Sequence, residues 1–287
     1  MPYLTEAEAR ELAERALAMS QADEARVNIS SGLDGNTRFA VNQISTSGET
    51  RNATVSLTSA FGTRLGSATT NAFDDDSLRR AVETSERIAR LAPEDPEYMG
   101  QLEPQTYPAE GQRWFETTAS LEAEGRAEAV RSMTREAQAR GFVSTGFLPM
   151  RARSEAVANS HGLFAYTRST GVALSTTVRT PDGTGSGWAG TSQHDWSAVD
   201  AAQLAERALR KAELSQNPQP IDPGPWTVIL EPEAVGSLVG FTFGQLQARS
   251  AAEGRSYFAR PDEGTRIGER IVDNASPSIR IRPIQGS

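Results

Sequence analysis

The chain of 287 residues is 37% hydrophobic and 23% charged, a composition that supports one or two packed domains and argues against disorder. It contains no cysteine, two histidines (His161 and His194) and one lysine (Lys211), which excludes disulfides, thiolate nucleophiles and three-histidine metal sites. The formal net charge is −8 and the arginines are spread among acids, so we expect no nucleic-acid partner.

The N-terminal part of the sequence predicts a helix, an antiparallel sheet and a second helix. Thr5 and Glu8 have the spacing of a capping box, which begins a helix that extends to about Ser20. Short alternating apolar runs with glycine turns over 25–70 are typical of an antiparallel meander with one solvated face. Acidic residues at 74–76 then begin a helix. Its predicted buried stripe comprises Leu78, Ala81, Val82, Ile88 and Leu91.

Four prolines between positions 93 and 108 interrupt the periodic pattern and indicate a linker. We therefore predict an N-terminal α+β domain over 1–95, a linker over 96–112 and a second domain over 113–287. The predicted fold class is α+β. It combines an N-terminal helix and antiparallel sheet with a second mixed, mostly antiparallel α+β domain.

The second domain repeats the first pattern on a larger scale. The sequence predicts a long helix over 120–140, several strands over 141–179 and a further helix over 197–215. An apolar run from Trp226 to Leu230 then predicts a buried strand, and a helix follows from Pro232 to about Ala248.

The sequence shows no targeting or membrane-spanning segment. Met1–Glu8 lacks the basic and apolar regions of a secretory signal. The longest apolar run, Ala234–Phe243, is shorter than the ~20 residues that a bilayer requires. We therefore expect a cytoplasmic protein with no membrane partner.

Few side chains stand out as candidates for chemistry. His161 lies in the turn sequence Asn159–Gly162, which favours a hydrogen-bonded turn histidine over a ligand or base. His194 precedes Asp195, but adjacent residues rarely face each other, so a loop-to-helix junction is the favoured interpretation. The single lysine, Lys211, lies in a polar helix and is expected to be solvated.

Two further motifs have a structural explanation as well as a chemical one. Glu231 and Glu233 flank Pro232 and are candidates for paired carboxylates, although acids are also favoured at a helix N-terminus. The glycine-rich run Gly183–Gly187 matches neither a phosphate-binding loop nor a dinucleotide fingerprint, so it predicts a loop between strands. The residues alone therefore indicate an α+β protein without a visible catalytic constellation.

Five segments, in the right order along the chain, resemble the TldD/PmbA family, whose members are called modulators of DNA gyrase and are regarded as metallopeptidases. They are 62–70 with the helix and Pro93–Pro96 that follow it, 156–163, 183–190, 223–236 and 264–271. The resemblance implies a TldD/PmbA-like fold. It also implies dimers, including heterodimers of a zinc-bearing subunit with a partner that lacks the zinc motif, around a cavity where unfolded or flexible peptides are cut.

The resemblance places a zinc-binding His-Glu-x-x-x-His helix directly after the segment Trp226–Leu230. Here the corresponding positions are Gly240, Phe241 and Gln245, none of which is suited to bind zinc or to activate water. We therefore expect no metal or other cofactor in this chain, with zinc in a catalytic paralogue. Phe241 and Phe243 are expected to be buried in a packing helix.

These departures indicate the PmbA (TldE)-like members that lack the zinc motif. The family's C-terminal domain, which supplies a further ligand, is expected to be absent or truncated, since the sequence stops at Ser287. The expected function is that of a zinc-free, non-catalytic subunit, in a homodimer or with a zinc-bearing TldD-like partner, that handles unfolded or flexible peptides.

Two alternatives remain open from the sequence. One is a peptidase with a non-standard site that uses His161, His194 or the pair Glu231 and Glu233. The other is a non-proteolytic regulator, of the gyrase or toxin–antitoxin type, that acts through protein contacts.

Overall fold

The computed structural model describes residues 3–107, 111–257, 259, 272–273 and 280–281. The chain divides into two compact units, Met1–Gln219 and Pro220–Ser287. The predicted domain boundaries at 95 and 113 do not coincide with this division. The predicted linker 96–112 lies inside the first unit, and the same sheet includes strands from both sides of it.

The first unit is built on one antiparallel sheet of six strands. The strands are β1 (Glu24–Ala40), β2 (Gln43–Phe61), β3 (Arg64–Thr70), β4 (Val143–Asn159), β5 (Phe164–Arg179) and β6 (Ser186–Gln193). Their order across the sheet is β3-β2-β1-β4-β5-β6, so β3 and β6 form its two edges. The antiparallel meander predicted for 25–70 is confirmed as β1 to β3.

The helices of the first unit contact the strands of this sheet and cover one of its faces. They are α1 (Glu6–Ala18), α2 (Asp75–Leu91), the short α3 (Glu116–Ala119), α4 (Ala123–Ala139) and α5 (Ala201–Leu214). Alternate residues of β1, such as Val27, Ile29 and Phe39, are buried beneath them, whereas the residues between are more exposed. Within the described residues of the first unit, the sheet therefore has one apolar, helix-covered face and one polar face that no helix covers, which we call the open face.

The first unit contains the same arrangement twice: a helix, three antiparallel strands and a second helix. The two copies, α1 to α2 and α4 to α5, are offset by about 120 residues. They join where β1 pairs with β4, from Arg26 opposite Asn159 to Phe39 opposite Gly146. Two apolar clusters lie on the helix-covered face, one beneath α1 and α2 and the other beneath α4 and α5. Each includes residues of both β1 and β4, such as Phe39 in the second cluster and Ala158 in the first.

Each copy holds its second helix against its third strand through a glycine. A Cβ atom on Gly66 of β3 would lie 2.2 Å from the carbonyl oxygen of Ser85, and one on Gly187 of β6 would lie 2.1 Å from that of Ala208. Only glycine permits such a close approach of helix and strand backbones. The glycine-rich run Gly183–Gly187 is therefore explained as the loop before β6 and its contact with α5.

The start signals of α1 and α2 are confirmed, but part of the predicted stripe of α2 is wrong. Thr5 and Glu8 form the capping box of α1, and Asp74 accepts a hydrogen bond from the backbone N–H of Ser77. The face of α2 that packs on the sheet contains Ser85 and Ala89. Ile88 and Leu91 lie outside this face and are therefore exposed.

The second unit contains α6 (Pro232–Phe243), α7 (Ala248–Ala252) and the paired strands β7 (Val272–Asp273) and β8 (Arg280–Ile281). The buried strand predicted for Trp226–Leu230 is wrong, since this segment is irregular and exposed. A strand needs a neighbour for its backbone hydrogen bonds, and the described residues pair no strand with this segment.

The predicted burial of Phe241 and Phe243 is also wrong. Their exposed fractions are 86% and 63%, because α6 has no face buried by the described residues of its unit. The helix ends at Phe243 rather than near Ala248, with Gly244 as its C-cap. No helix formed by the described residues combines the length and apolar character needed to cross a membrane.

The close approach at Gly187 predicts a large effect of one methyl group. Gly187→Ala is expected to lower the free energy of unfolding by about 1–3 kcal/mol, because its Cβ would collide with the backbone of α5. Gly48→Ala, whose Cβ would have its nearest neighbour at 4.0 Å, is the matched control and is expected to change it by less than ~0.5 kcal/mol. Urea unfolding measures both, and equal effects would contradict the proposed contact.

Candidate functional site

The second unit holds the positions at which the resemblance places zinc ligands. Gly240 and Phe241 lie in the last turn of α6, and Gln245 lies beyond the end of the helix. The side-chain oxygen of Gln245 accepts a hydrogen bond from the backbone N–H of Tyr257 at 3.1 Å, and its carbonyl oxygen accepts one from the Ser256 hydroxyl. Gln245 therefore anchors a following segment.

These residues do not fit a zinc ion. Gly240 and Phe241 offer no donor atom, and the only donor of the set, the neutral amide of Gln245, is engaged by Tyr257. Within the described ranges, no group of three or more histidine or acidic residues is arranged to hold a metal ion.

Glu231 and Glu233 lie at the N-terminus of α6. Glu231 is the N-cap residue, Pro232 occupies the first turn, and Glu233 is the acidic residue of that turn. Both glutamates are exposed. Their position agrees with the structural interpretation, because acidic groups are stabilised near the positive end of a helix dipole.

His161 lies between two carboxylates in the turn from β4 to β5. Its Nε2 is 3.1 Å from Oε1 of Glu24, and its Nδ1 is 3.2 Å from Oε1 of Glu103. The second contact has the distance of an ion pair without the geometry of a hydrogen bond. Because both ring nitrogens face protein carboxylates, His161 is poorly placed to bind a ligand or to act as a base.

Glu24 also holds the irregular segment 93–107 against the start of β1. Its Oε2 accepts a hydrogen bond from the Tyr98 hydroxyl at 2.7 Å, and its Oε1 accepts one from the backbone N–H of Gln101 at 3.3 Å. Burial raises the pKa of Tyr98, and the bond to Glu24 adds to the effect. These contacts hold the segment in place. We call the group that makes them the clasp, and it comprises Glu24, Tyr98, Gln101, Glu103 and His161.

His194 is a structural residue after β6. Its Nδ1 is 2.6 Å from the carbonyl oxygen of Thr170, so Nδ1–H is the donor, and its own carbonyl oxygen accepts bonds from the hydroxyls of Thr118 and Thr170. Asp195 does not orient the imidazole. Its carboxylate accepts a hydrogen bond from Thr117 at 2.5 Å, which lowers its pKa, and it caps a short helical turn beginning at Trp196.

The structure does not bring the two histidines together. His161 lies just before β5, which begins at Phe164. His194 contacts Thr170, which lies six residues further along the same strand. Six strand residues span ~20 Å. The two rings therefore belong to separate structural contacts.

The open face of the sheet carries a groove that sequence reasoning missed. Its volume is about 870 Å³. Polar and apolar side chains and one ring from beyond the sheet line it, among them Asn28, Ser30, Thr54, Ser56, Glu155, Val157 and Tyr107. These residues come from β1, β2, β4 and the segment before 108. The period-two alternation over 25–70 predicted the solvated face of β1 and β2, but not that β4 would extend this face into a groove.

A buried arginine is the second feature that the sequence concealed. Arg126 of α4 has no exposed surface. Its Nη1 donates a hydrogen bond to the carbonyl oxygen of Leu121 at 2.9 Å and is 3.4 Å from Oε1 of Glu49, while Nε and Nη2 have no partner among the described residues. An arginine in a polar helix is usually solvated, so composition could not have indicated this burial.

Lys211 also differs from the prediction of a solvated side chain. It is half-buried, and its Nζ donates a hydrogen bond to the carbonyl oxygen of Trp188 in β6 at 2.8 Å. The lysine therefore binds the edge of the sheet.

The clasp predicts that one carboxylate holds segment 93–107 in place. Glu24→Ala is expected to speed amide hydrogen exchange at Tyr98 and Gln101, because it removes the acceptor of both hydrogen bonds. Glu83→Ala, at an exposed position of α2, is the control. Unchanged exchange in the Glu24 variant would contradict this role.

The buried guanidinium predicts an unequal effect of removing either partner of its ion pair. Glu49→Ala is expected to lower the free energy of unfolding by about 1–3 kcal/mol, because it leaves the cation of Arg126 without a counter-charge. Arg126→Met is expected to cost less, because it removes the charge together with its unpartnered N–H groups. Urea unfolding of both variants checks the order, and the reverse order would contradict it.

Comparison with sequence families identifies two matching regions. Residues 25–89 match the model of the PmbA/TldA metallopeptidase domain 1, and residues 116–216 match that of the PmbA/TldA metallopeptidase central domain. Together these regions cover more than half of the chain. No curated protein matches the sequence.

Solved structures share the fold at low sequence identity. TldE from Thermococcus kodakarensis matches 71% of this chain and 47% of its own, with a TM-score of 0.64 and 18% identity. A proposed modulator of DNA gyrase from Thermotoga maritima matches 75% of this chain and 50% of its own, with a TM-score of 0.67 and 14% identity.

A further proposed modulator of DNA gyrase, from Bacteroides thetaiotaomicron, matches 88% of this chain and 60% of its own, with a TM-score of 0.71 and 17% identity. The chain thus spans 47–60% of the length of these three structures. Its two family regions and its α+β fold lead to one assignment. The chain belongs to the TldD/PmbA family.

Proposed function

We propose that this chain is a TldE-like, zinc-free subunit of a cytoplasmic peptidase assembly, and that it holds extended peptide for a zinc-bearing, TldD-like partner. The proposal rests on one observation: this member of a metallopeptidase family has unsuitable residues at the three positions of the zinc motif. Gly240, Phe241 and Gln245 stand where the resemblance places two zinc ligands and a general base, and they supply neither.

The contacts of the two histidines support a binding role over an independent catalytic one. His161 is enclosed by Glu24 and Glu103, and His194 is fixed to Thr170. A general base must reach the proton that it abstracts, and both ring nitrogens of His161 face protein carboxylates instead. The Nδ1–H of His194 is bonded to the carbonyl oxygen of Thr170, and within the described ranges this histidine belongs to no group of three or more histidine or acidic residues that could hold a metal ion. The proposal therefore assigns hydrolysis to the partner subunit.

The shape and polarity of the sheet support an extended ligand. The open face offers hydroxyl and amide groups at the spacing of neighbouring strands, and the sheet ends in edge strands. Main-chain hydrogen bonds at a strand edge recognise an extended peptide without demanding a particular sequence. Such recognition suits an assembly that acts on unfolded or flexible peptides.

Co-expression with a zinc-bearing paralogue from the same genome tests the proposal. We expect the two chains to copurify and to cleave an unfolded peptide, whereas this chain alone shows no cleavage and binds no stoichiometric zinc. A Glu→Gln change in the partner's zinc motif is the matched control and should abolish cleavage without dissociating the pair. Failure of the chains to associate, or stoichiometric zinc in this chain alone, would contradict the proposal.

Variants of this chain separate the proposal from its alternatives. His161→Ala and His194→Ala are expected to leave cleavage by the assembly within about twofold, because neither ring takes part in the proposed chemistry. Cleavage by this chain alone that either variant abolishes would establish a non-standard peptidase instead. Copurification with gyrase but with no peptidase partner would favour the regulatory alternative, a role that the names of two structural relatives suggest for those proteins.

A further inference from the structure

The two edges of the sheet are equivalent in the repeated fold, but the described residues cap only one of them. At the β6 edge, the hydroxyl of Ser215 accepts a hydrogen bond from the backbone N–H of Ser186 at 2.8 Å. The same hydroxyl donates a hydrogen bond to the carbonyl oxygen of Ser186 at 2.9 Å. Lys211 then binds the carbonyl oxygen of Trp188 at 2.8 Å. Side chains from α5 and the residue after it thus occupy the first outward-facing groups of β6.

The β3 edge presents the corresponding groups without such caps. The turn between β2 and β3 has two residues, and Phe61 pairs with Arg64 across it. In such a hairpin the closing pair is hydrogen-bonded, so the backbone groups of Leu65, Ser67 and Thr69 point away from β2. No hydrogen bond joins these groups to another residue in the described part of the chain.

The sequence of β3 also lacks the usual protection of a free edge. Natural edge strands are blunted by charges, prolines or bulges, which prevent pairing with other chains. In β3 the only charged residue is Arg64 at the hairpin end, and the register with β2 is regular over the whole strand. An unprotected edge of this kind is a ready template for one more strand.

The two sides of this edge differ in chemistry. On the open face, the hydroxyl of Ser67 bonds that of Thr58 at 2.9 Å, and the hydroxyl of Thr69 donates to that of Ser56 at 3.2 Å. The side chains of Ser67 and Thr69 are exposed there. A strand added to β3 would place every second side chain beside this row of hydroxyls.

The helix side of the edge is apolar. Ile88 is 42% exposed and Leu91 is 81% exposed on α2. Glu86 of the same helix accepts hydrogen bonds from Ser20 and Gln21, so that side of α2 faces the segment between α1 and β1. Two residues along a helix correspond to a rotation of about 200°, which places Ile88 on the opposite side, toward the free edge of β3.

From these observations we propose that the free edge of β3 binds an extended peptide segment by strand addition, with alternating apolar and hydroxyl-bearing side chains. The apolar side chains would contact Ile88, and the polar ones would continue the hydroxyl row at Ser67 and Thr69. This inference rests on the proposed function for the idea that the chain meets extended peptides, and it assigns the place where one is held.

Fluorescence anisotropy with the purified chain tests the inference. The probe is a labelled peptide of about ten residues with alternating valine and threonine and a lysine at each end. Ser67→Pro removes one outward N–H and is expected to weaken binding at least tenfold. Ser192→Pro makes the same change at an outward position of β6 and is the matched control, expected to bind as the unaltered chain does.

A second pair of variants keeps the test valid if the proline impairs folding. Ile88→Glu is expected to weaken binding about tenfold, because it places a charge beside the apolar side chains of the peptide. Leu214→Glu, at an exposed apolar position of α5, is its control. Circular dichroism confirms that each variant is folded.

Three results would overturn the inference: no binding of the peptide by the unaltered chain, equal binding by both members of each pair, or a dimer that Ser67→Pro dissociates while the peptide fails to bind. The last result would make the edge an interface between two copies of the chain. Because these measurements need no zinc-bearing partner, their failure is distinguishable from failure of the proposed function.

Discussion

The pairing of β1 with β4 is the constraint on which the first unit depends. It joins two copies of the helix–three-strand–helix arrangement into one sheet, and a buried bond between the hydroxyls of Ser31 and Ser154 at 2.9 Å lies within it. A shift of this register by one residue would turn Val27, Ile29 and Phe39 onto the open face. The same register holds the helices of the first unit on one side, leaves a polar face on the other, and separates the two edges by the full width of the sheet.

The sequence predicted those parts of the fold that local chemistry determines. The capping box of Thr5 and Glu8 and the alternation over 25–70 are local signals, and each formed the expected element. Several predictions of burial, which depends on contacts with distant parts of the chain, were wrong. Ile88 has helical spacing with buried residues but lies at the margin of the buried face, and the segment from Trp226 has no described strand to pair with. Periodicity identifies an apolar side chain, but tertiary contacts decide whether it is covered.

The candidate site shows the same limit. The resemblance located Gly240, Phe241 and Gln245 as positions without zinc ligands, which no pattern within this sequence could have done. In contrast, the clasp around Glu24 joins β1, the β4–β5 turn and an irregular segment. The burial of Arg126 likewise depends on β1 and β2, which lie against its guanidinium. Long-range contacts of this kind leave no signal in spacing or composition. The alternation of apolar and polar residues over 25–70 did predict a solvated face for β1 and β2. The groove on that face depends also on the pairing of β1 with β4, which the sequence alone did not predict.

The chain is a member of the TldD/PmbA family, and the role that we propose for it is peptide binding rather than bond cleavage. Central to this role is the proposed binding of extended peptide at the free edge of β3. Amide hydrogen exchange in the presence and absence of peptide tests it most directly, since a newly paired strand protects the amides that it binds. We expect slower exchange at Leu65, Ser67 and Thr69 with no change in β6. Unchanged exchange in β3 at saturating peptide would contradict the account.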